Sequence, residues 1–129
     1  MIRPSLKTIT GQWLDAFNRH DTDAILALYH DDAVHYSPRL RGQSGSDRYL
    51  RGKPALKALW EACFQDNPGL RYVLLETPLT DQGEVFLKYR RTADGQEPQD
   101  VLEYLKMEGG LIRESRVLSF LPSPKPAQE

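Results

Sequence analysis

Two side chains in the first third of the chain have the chemistry and the spacing needed to move a proton. His35 and Ser37 are separated by one residue, so in a strand they point to the same face. Histidine changes its charge near neutral pH, and His35 could therefore act as a general base, oriented by Ser37 or by Glu103. The structural alternative is a histidine satisfied by a neighbouring carboxylate or a backbone carbonyl, without any chemistry.

Glu103 is the second candidate for proton transfer. It lies in the segment VLEYLKM, whose two alternating sets of side chains are both mainly apolar. This pattern is expected when one face of a sheet lines a pocket and the other packs against a partner. A glutamate on such an interior face resists ionisation, which raises its pKa toward the range where general acids and bases work. The alternative is an outward glutamate, or one paired with Arg91 or Arg113 in a purely structural network.

Aromatic side chains on three predicted helices could enclose a flat or cyclic ligand. Trp13, Tyr29 and Trp60 each lie on the apolar stripe of a helix. Each combines a large apolar surface with a polar tip, which suits the wall of a ligand pocket. Plain core packing would also explain these positions. The two interpretations are compatible, because the wall of a pocket is also part of the core.

The segment between Pro38 and Gly52 is rich in turn residues and in arginine. Its composition predicts a long loop, and long loops in compact domains are often functional lids. Guanidinium groups there could hold a carboxylate or a phosphate at the mouth of a pocket. The alternative is a solvated loop kept soluble by its charges. The arginines concerned are Arg39, Arg41, Arg48 and Arg51.

Helical periodicity predicts the three elements that position these groups. The first helix has its apolar stripe around Trp13, and Asp21 is expected to cap a second helix whose stripe includes Tyr29. A short strand over Ala33–Ser37 follows. The third helix is expected to follow Gly52, with Pro54 in its first turn, where proline is tolerated.

Beyond residue 70 the apolar period becomes alternating, and turn residues separate four segments. These segments predict an antiparallel meander. With helices on one face of that sheet, the chain is expected to form an α+β domain. The four predicted strands are Arg71–Thr77, Glu84–Thr92, Asp100–Glu108 and Leu111–Phe120.

The overall composition bounds the class of protein. A chain of 129 residues fits one domain, expected over residues 1–121, with a proline-rich flexible tail over 122–129. Its 17 basic and 18 acidic residues give a net charge of -1, which argues against nucleic-acid binding. No apolar run reaches the length of a membrane span. The single cysteine, Cys63, cannot form an internal disulfide and suits a reducing compartment, so a cytoplasmic location is expected.

Sequence motifs give little support for a metal or cofactor site. The three histidines show no metal-ligand spacing, and there is no glycine-rich phosphate cradle, nucleophile elbow or Walker-type lysine. We therefore expect no metal and no cofactor.

The segment DTDAILALYHDDAVHYSP resembles the nuclear transport factor 2-like superfamily, in particular its SnoaL-like and ketosteroid-isomerase-like branches. The first helix, the helix opening at Gly52 and the closing strand after Gly110 contribute to the resemblance, which spans Trp13 to Phe120. It implies a cone-shaped α+β fold with three N-terminal helices packed on a curved, mainly antiparallel sheet and an apolar pocket at the open end. Members include isomerases, dehydratases, epoxide hydrolases, polyketide cyclases and binding or scaffolding domains, so the fold alone does not decide the activity.

The resemblance also implies roles for individual positions. In the isomerase branch, the residue before the matching proline is an aspartate base, and here it is Ser37. A first-helix tyrosine of that branch corresponds to Trp13, and an acid on the penultimate strand corresponds to Glu103. Two of the three positions differ, so we do not expect the ketosteroid isomerase reaction with that machinery. The facing of the family's strand implies that His35 and Ser37 look into the pocket.

These observations predict a domain that binds a small apolar or cyclic molecule. The predicted chemistry is acid/base proton transfer of the isomerase, cyclase, dehydratase or epoxide hydrolase type, and a non-catalytic ligand-binding or protein-interaction module is the alternative. The catalytic candidates are His35, Glu103 and Ser37, and the ligand-binding candidates are Trp13, Tyr29, Leu59, Trp60, Tyr89 and Val117. A homodimer is expected across the outer sheet face, through Leu102, Tyr104, Ile112 and Leu118, with Glu114 and Arg116 nearby.

Overall fold

The computed structural model describes residues 6–40 and 48–124, with side chains from residue 8 onward. These residues form three helices and seven strands, which confirms the predicted α+β class. The helices are α1 (Leu6–Asn18), α2 (Thr22–Leu26) and α3 (Lys53–Asp66). The strands are β1 (Tyr29–Tyr36), β2 (Tyr49–Arg51), β3 (Arg71–Leu74), β4 (Leu79–Asp81), β5 (Glu84–Thr92), β6 (Gln99–Glu108) and β7 (Leu111–Pro122). None of the described helices is long and apolar enough to cross a membrane.

One curved, mixed sheet contains all seven strands. Its order is β2-β1-β7-β6-β5-β3, and β4 pairs with β5 next to β3. Strands β1 and β7 run parallel, and the other pairs are antiparallel. Helix α1 packs against β3 and β5, while α3 packs against α2 and β1. The predicted antiparallel meander is therefore present, but the sheet continues beyond it on the β1 side.

Strand pairing moves two of the predicted boundaries. The second helix ends at Leu26 and Tyr29 already begins β1, because Tyr29 pairs with Ile112 of β7. The predicted strand over Arg71–Thr77 ends at Leu74, and a separate strand follows Pro78. Proline lacks the N–H that a ladder needs, so the break at that position has a simple cause. In contrast, the predicted cap of α2 is confirmed: the Asp21 carboxylate accepts a hydrogen bond from the Ala24 amide at 3.0 Å.

The predicted loop between Pro38 and Gly52 contains a strand. Residues Tyr49–Arg51 pair with β1, and Gly52 then takes a φ of +91° that allows the chain to turn into α3. Arg41 lies outside the described residues. At the other end of the chain, β7 extends to Pro122, one residue beyond the predicted domain boundary, and positions 125–129 of the predicted tail also lie outside the described part.

A bulge in β7 overturns one prediction about the outer face. Met107 pairs with Ile112 and Lys106 pairs with Glu114, so Arg113 is an extra residue in the ladder. The extra residue reverses the alternation. Ile112 therefore points into the core, where its side chain is fully buried, and its predicted place on the outer face is wrong.

The bulge predicts opposite sensitivities for two aliphatic residues of β7. Ile112→Ala should lower the free energy of unfolding by about 2–5 kcal/mol, the range for core truncations that leave a cavity. Leu118 is 43% exposed, so Leu118→Ala should cost about 1 kcal/mol or less. Urea unfolding of the two variants and the wild type measures both values. Equal losses would contradict the register described above.

Candidate functional site

A cavity of about 200 Å³ opens between the helices and the concave face of the sheet. It is somewhat larger than a cavity of about 150 Å³ that accommodates benzene, so a molecule of one or two rings fits it. The catalytic candidates His35, Ser37 and Glu103 all line this cavity. Of the six ligand-binding candidates, five line it as well: Trp13, Leu59, Trp60, Tyr89 and Val117.

Tyr29 is the ligand-binding candidate that the fold places elsewhere. Its side chain is completely buried and lies behind the cavity wall, where its ring packs 5.2 Å from that of Trp60. The hydroxyl of Tyr29 accepts a hydrogen bond from Nε1 of Trp13 at 3.1 Å. Tyr29 is thus a structural support for the wall.

Glu103 lies deep in the cavity with half of its carboxyl group unpaired. The residue is only 2% exposed, and Oε1 accepts a hydrogen bond from the Tyr89 hydroxyl at 2.7 Å. Oε2 is buried and has no hydrogen-bond partner among the described residues. Burial raises the pKa of Glu103 to about 7, although the bond from Tyr89 works in the opposite direction. Both protonation states of this carboxyl group are therefore populated at neutral pH.

The arginines considered as partners of Glu103 are engaged elsewhere. Arg91 donates to Oε1 of Gln96 at 2.8 Å, and Nε of Arg113 lies 4.0 Å from a carboxylate oxygen of Glu108. An ion pair would have lowered the pKa of Glu103. The raised value therefore reflects an apolar surrounding without a compensating cation.

His35 differs from the sequence-based expectation in its partner and in its charge. The ring nitrogen Nδ1 lies 2.7 Å from Oγ of Ser115 on β7, so neither Ser37 nor Glu103 orients the imidazole. The residue is 7% exposed, and burial lowers the pKa of His35 to about 4. The imidazole is consequently neutral at pH 7 and is a weaker base than an exposed histidine.

A series of hydrogen bonds behind the wall favours one tautomer of His35. An indole N–H can only donate, so Tyr29 accepts from Trp13 and its own hydrogen needs another acceptor. Ser115 is within hydrogen-bonding reach of Tyr29 and can accept it. The Ser115 hydroxyl then donates to Nδ1 of His35. This assignment satisfies the donors of all four side chains, whereas a donor on Nδ1 of His35 leaves the hydrogen of either Tyr29 or Ser115 unbonded.

The same assignment leaves the second ring nitrogen of His35 available to a ligand. With Nδ1 as the acceptor, the hydrogen of the neutral imidazole is on Nε2. No described residue forms a hydrogen bond with Nε2. The ring lines the cavity, so a neutral N–H donor is available there at the pH where Glu103 titrates.

Ser37 lines the cavity but is already engaged in a turn. Its Oγ accepts a hydrogen bond from the Arg39 amide at 3.1 Å. This bond fixes the turn after β1, and that turn brings the side chain of Arg39 to the cavity. Arg39 is nevertheless exposed, as are Arg48 and Arg51, the other loop arginines within the described range.

Sequence reasoning missed several polar groups of the site, three of which contribute to its electrostatics or support. Ser115 lies on the same face of β7 as the predicted Val117, and Arg91 lies on the same face of β5 as the predicted Tyr89, so alternation could have found both. Tyr72 is the third: its ring stacks on that of Tyr89 with centroids 4.3 Å apart. Within the residues that the structure describes, no group of three or more histidine, cysteine or acidic side chains could hold a metal ion.

The family model described as the SnoaL-like domain matches residues 11–115 of this sequence. The chain belongs to the SnoaL-like domain family. The matched range includes His35, Glu103 and Ser115. A search of curated protein sequences finds no significant match.

Solved structures of SnoaL-like and related proteins share this fold. A SnoaL-like protein of unknown function from Burkholderia thailandensis is 26% identical, with a TM-score of 0.78 over 92% of this chain and 99% of its own. A nuclear transport factor 2-like protein of unknown function from Cytophaga hutchinsonii is 16% identical, with a TM-score of 0.73 over 94% of each chain. A protein described provisionally as a polyketide cyclase, from Sinorhizobium meliloti, is 19% identical, with a TM-score of 0.70 over 84% of this chain and 92% of its own.

The buried carboxyl group predicts a characteristic dependence of stability on pH. Glu103 has an ordinary pKa of 4.5 and a pKa of about 7 in the folded protein. The folded state therefore retains a proton that the unfolded state loses. The stabilisation from this proton is present below pH 4.5 and is lost as the pH rises through 7. The difference corresponds to about 3 kcal/mol.

Glu103→Gln, which cannot ionise, should escape this loss. We expect its free energy of unfolding to rise relative to wild type by about 3 kcal/mol between pH 4.5 and about pH 7.5. His35 stays neutral over most of this range and is common to both proteins, while burial keeps Tyr72 and Tyr89 protonated. Urea unfolding across pH measures the difference, with Glu108→Gln, at an exposed position of the same strand, as the control. A difference that is constant with pH would contradict the raised pKa.

Proposed function

We propose that this SnoaL-like protein catalyses proton transfer on a small cyclic substrate that carries a carbonyl, enol or epoxide group. The observation that carries the proposal is the unpaired oxygen of Glu103. Leaving a buried polar atom without a partner costs free energy, and here the atom belongs to a carboxyl group that titrates near neutral pH. Such a group suits a general acid or base. The name of the provisional polyketide cyclase is compatible with chemistry of this class.

For a carbonyl substrate, the two cavity groups have complementary roles. Ionised Glu103 takes a proton from a carbon adjacent to the carbonyl; the C–H electron pair forms the enolate double bond, and the carbonyl oxygen becomes negative. The N–H of neutral His35 donates a hydrogen bond to that oxygen as the charge develops. Protonated Glu103 then returns the proton to another carbon or to the oxygen. No net gain or loss of electrons is required.

The pKa values suit this division of roles. A base with a pKa of about 7 is half ionised at neutral pH and still has substantial proton affinity. An imidazole with a pKa of about 4 does not become protonated in that range. It therefore donates a hydrogen bond without adding a positive charge that would lower the pKa of Glu103. We accordingly assign the proton transfer to Glu103 and the oxyanion contact to His35.

Ser37 and Trp13 have supporting roles in this proposal. Oγ of Ser37 accepts from a backbone amide, and the indole N–H of Trp13 donates to Tyr29. Neither group is free to contact a reacting atom. Of the catalytic candidates, only Glu103 and His35 are then left to act on a substrate. If both are inactive, the second candidate function applies: a pocket that binds a ligand without transforming it.

A substrate screen followed by two variants tests the proposal. The screen covers cyclic ketones, enols, epoxides and lactones. On any hit, Glu103→Gln should lower kcat about 10²- to 10⁴-fold, because it keeps the shape of the side chain and removes only its ionisation. His35→Ala should lower kcat about 10²- to 10³-fold through the lost oxyanion donor. Glu108→Gln is the matched control.

The outcome separates the two candidate functions. Turnover that depends on Glu103 and His35, with a rise in kcat/KM through a pKa near 7, supports the enzyme. Ligand binding by calorimetry without any turnover, or variants with wild-type rates, would contradict proton transfer and favour the binding module. A cytoplasmic location is our expectation in either case.

The outer sheet face supports a proposal of homodimer formation. Phe86 and Leu118 are 37% and 43% exposed, and the ring of Phe86 lies 5.1 Å from that of Tyr104. Leu102 and Tyr104 are half-buried on the same face. A contiguous apolar surface of this kind usually marks an interface, and a second copy of the chain would cover it. Because of the bulge, Ile112 does not belong to this face, whereas Phe86, which was not part of the predicted patch, does.

A charge introduced into this patch should separate the subunits. Leu118→Asp is expected to convert a dimer into a monomer in sedimentation velocity at micromolar concentration. Leu74 is also exposed, at 38%, but it pairs with the inward-facing Tyr89, so Leu74→Asp is the control and should leave the dimer intact. A wild-type monomer under the same conditions would contradict the proposal.

A further inference from the structure

Two arginines converge on the end of the cavity away from Glu103. Arg91 of β5 pairs directly with Gln99 of β6, and Nη2 of Arg39 donates to the side-chain oxygen of the same Gln99. The Arg39 guanidinium also lies 4.5 Å from the ring centroid of Phe120. Arg39, Arg91 and Phe120 all line the cavity. Two cationic groups from distant parts of the chain therefore meet at one level of the sheet.

Neither cation has an acidic partner in the part of the chain that the structure describes. Arg91 is only 8% exposed, yet its hydrogen bond goes to the neutral amide of Gln96, which is itself held by Asn67 at 2.5 Å. Among the described residues, no carboxylate lies within 4.0 Å of either Arg39 or Arg91. Buried charges in proteins are normally paired.

The residue before Arg91 on β5 is an arginine that does have an acidic partner. Arg90 points to the opposite face of β5, and its Nε lies 2.9 Å from a carboxylate oxygen of Asp100. The charge on the outer face is thus compensated, while the more deeply buried charge next to it is not. The pKa of the Arg39 guanidinium is lowered by burial and by the charge of Arg91, so the two cations repel each other as well.

Glu103 is too far along the sheet to act as the missing anion. Glu103 pairs with Leu87 and Gln99 pairs with Arg91, so the two levels are four residues apart. At a rise of about 3.3 Å per residue they are separated by about 13 Å. Between these levels lie the stacked rings of Tyr72 and Tyr89 and the side chain of Val101. The cavity therefore has a carboxyl group at one end, a pair of cations at the other and an apolar middle.

We infer that the ligand is a small cyclic carboxylic acid whose carboxylate binds Arg39 and Arg91 while its ring extends toward Glu103. The forked guanidinium matches the planar carboxylate, which would compensate the buried cation of Arg91 and the exposed cation of Arg39 beside it. The apolar middle of the cavity accommodates the ring. The inference deepens the proposed function by giving its substrate class. The bound carboxylate would hold the reacting end of the ring near Glu103 and His35.

Calorimetry with ring acids and their neutral amides tests this assignment. The probes are benzoate and 2-naphthoate, compared with benzamide and 2-naphthamide, at low salt and neutral pH. Of the two acids, the one that the wild-type protein binds more tightly should bind at least about tenfold more tightly than the corresponding amide. Arg91→Gln and Arg39→Gln should each weaken binding of the acid about 10- to 100-fold and leave binding of the amide unchanged. Arg90→Gln, on the same strand but the opposite face, is the control and should bind like wild type.

A second measurement separates ligand binding from a structural role. Without ligand, Arg91→Gln should melt at the same temperature as wild type or higher, because it removes an uncompensated cation, and the acid should raise the melting temperature of the wild type only. A large loss of stability in Arg91→Gln without ligand would overturn the inference. It would also be overturned by amides binding as tightly as acids, by equal effects of Arg90→Gln and Arg91→Gln, or by no binding of either acid at millimolar concentration.

The test is independent of catalysis. Glu103→Gln should retain the preference for the acid over the amide, because the cations lie at the other end of the cavity. Loss of turnover with retained acid binding would therefore leave this inference intact while deciding the role of Glu103. Tighter binding of phenyl phosphate than of benzoate would overturn the choice of a carboxylate.

Discussion

The parallel pairing of β1 with β7 is the interaction on which the site depends. It joins a segment near the start of the chain to the last strand and places His35 directly opposite Ser115. The same ladder pairs Tyr29 with Ile112, which brings the hydroxyl of Tyr29 under the indole of Trp13. The hydrogen bonds that orient His35 exist only because these two strands lie side by side. Helix α1 contributes Trp13 to this series of hydrogen bonds, so the packing of the first helix also affects the orientation of the imidazole.

The cavity contains an unpaired carboxyl group at one end and two guanidinium groups at the other, and the described residues compensate neither. At its deep end, a carboxyl group is buried among apolar and phenolic side chains, and the desolvation raises its pKa. At its mouth, two guanidinium groups share a neutral environment of amides and an aromatic ring. An ion pair between Glu103 and the arginines would compensate both ends, but the register of β5 and β6 holds them about 13 Å apart along the strands. A ligand that presents an anion at one end and an oxygen or an acidic C–H at the other would satisfy both ends.

Proteins related to this chain share its scaffold. The relative from Burkholderia thailandensis covers nearly the whole chain at 26% identity, and the more distant structures preserve the architecture at under 20% identity. A fold of this kind supports many activities, because the sheet and helices fix the shape of a cavity whose lining side chains can be exchanged. In this chain the lining includes the neutral His35, the half-paired Glu103, and Arg39 and Arg91, which have no acidic partner among the described residues.

Local patterns in the sequence determined the α+β class, the helix cap at Asp21 and the face shared by His35 and Ser37. Each of these follows from residues that are neighbours in the chain, because helical period, capping and strand alternation are local properties. Alternation also placed Glu103 on a largely apolar surface, which gave the correct direction for its pKa. The resemblance of one segment to a known family added the pocket at the open end of the fold.

Tertiary structure decided the features that depend on partners far along the chain. Tyr29 fits a helical stripe, but pairing with β7 makes it the first residue of a strand. Ile112 points inward because one extra residue, Arg113, interrupts the ladder with β6. The alternation of residues in the sequence does not predict this bulge. The partner of His35 is 80 residues away along the chain. Whether an acid lies beside Arg91 depends on all the elements that pack around it, and the described structure has none there. Such contacts are selected by the total free energy of packing and hydrogen bonding, to which residues distant in sequence contribute as much as neighbours do.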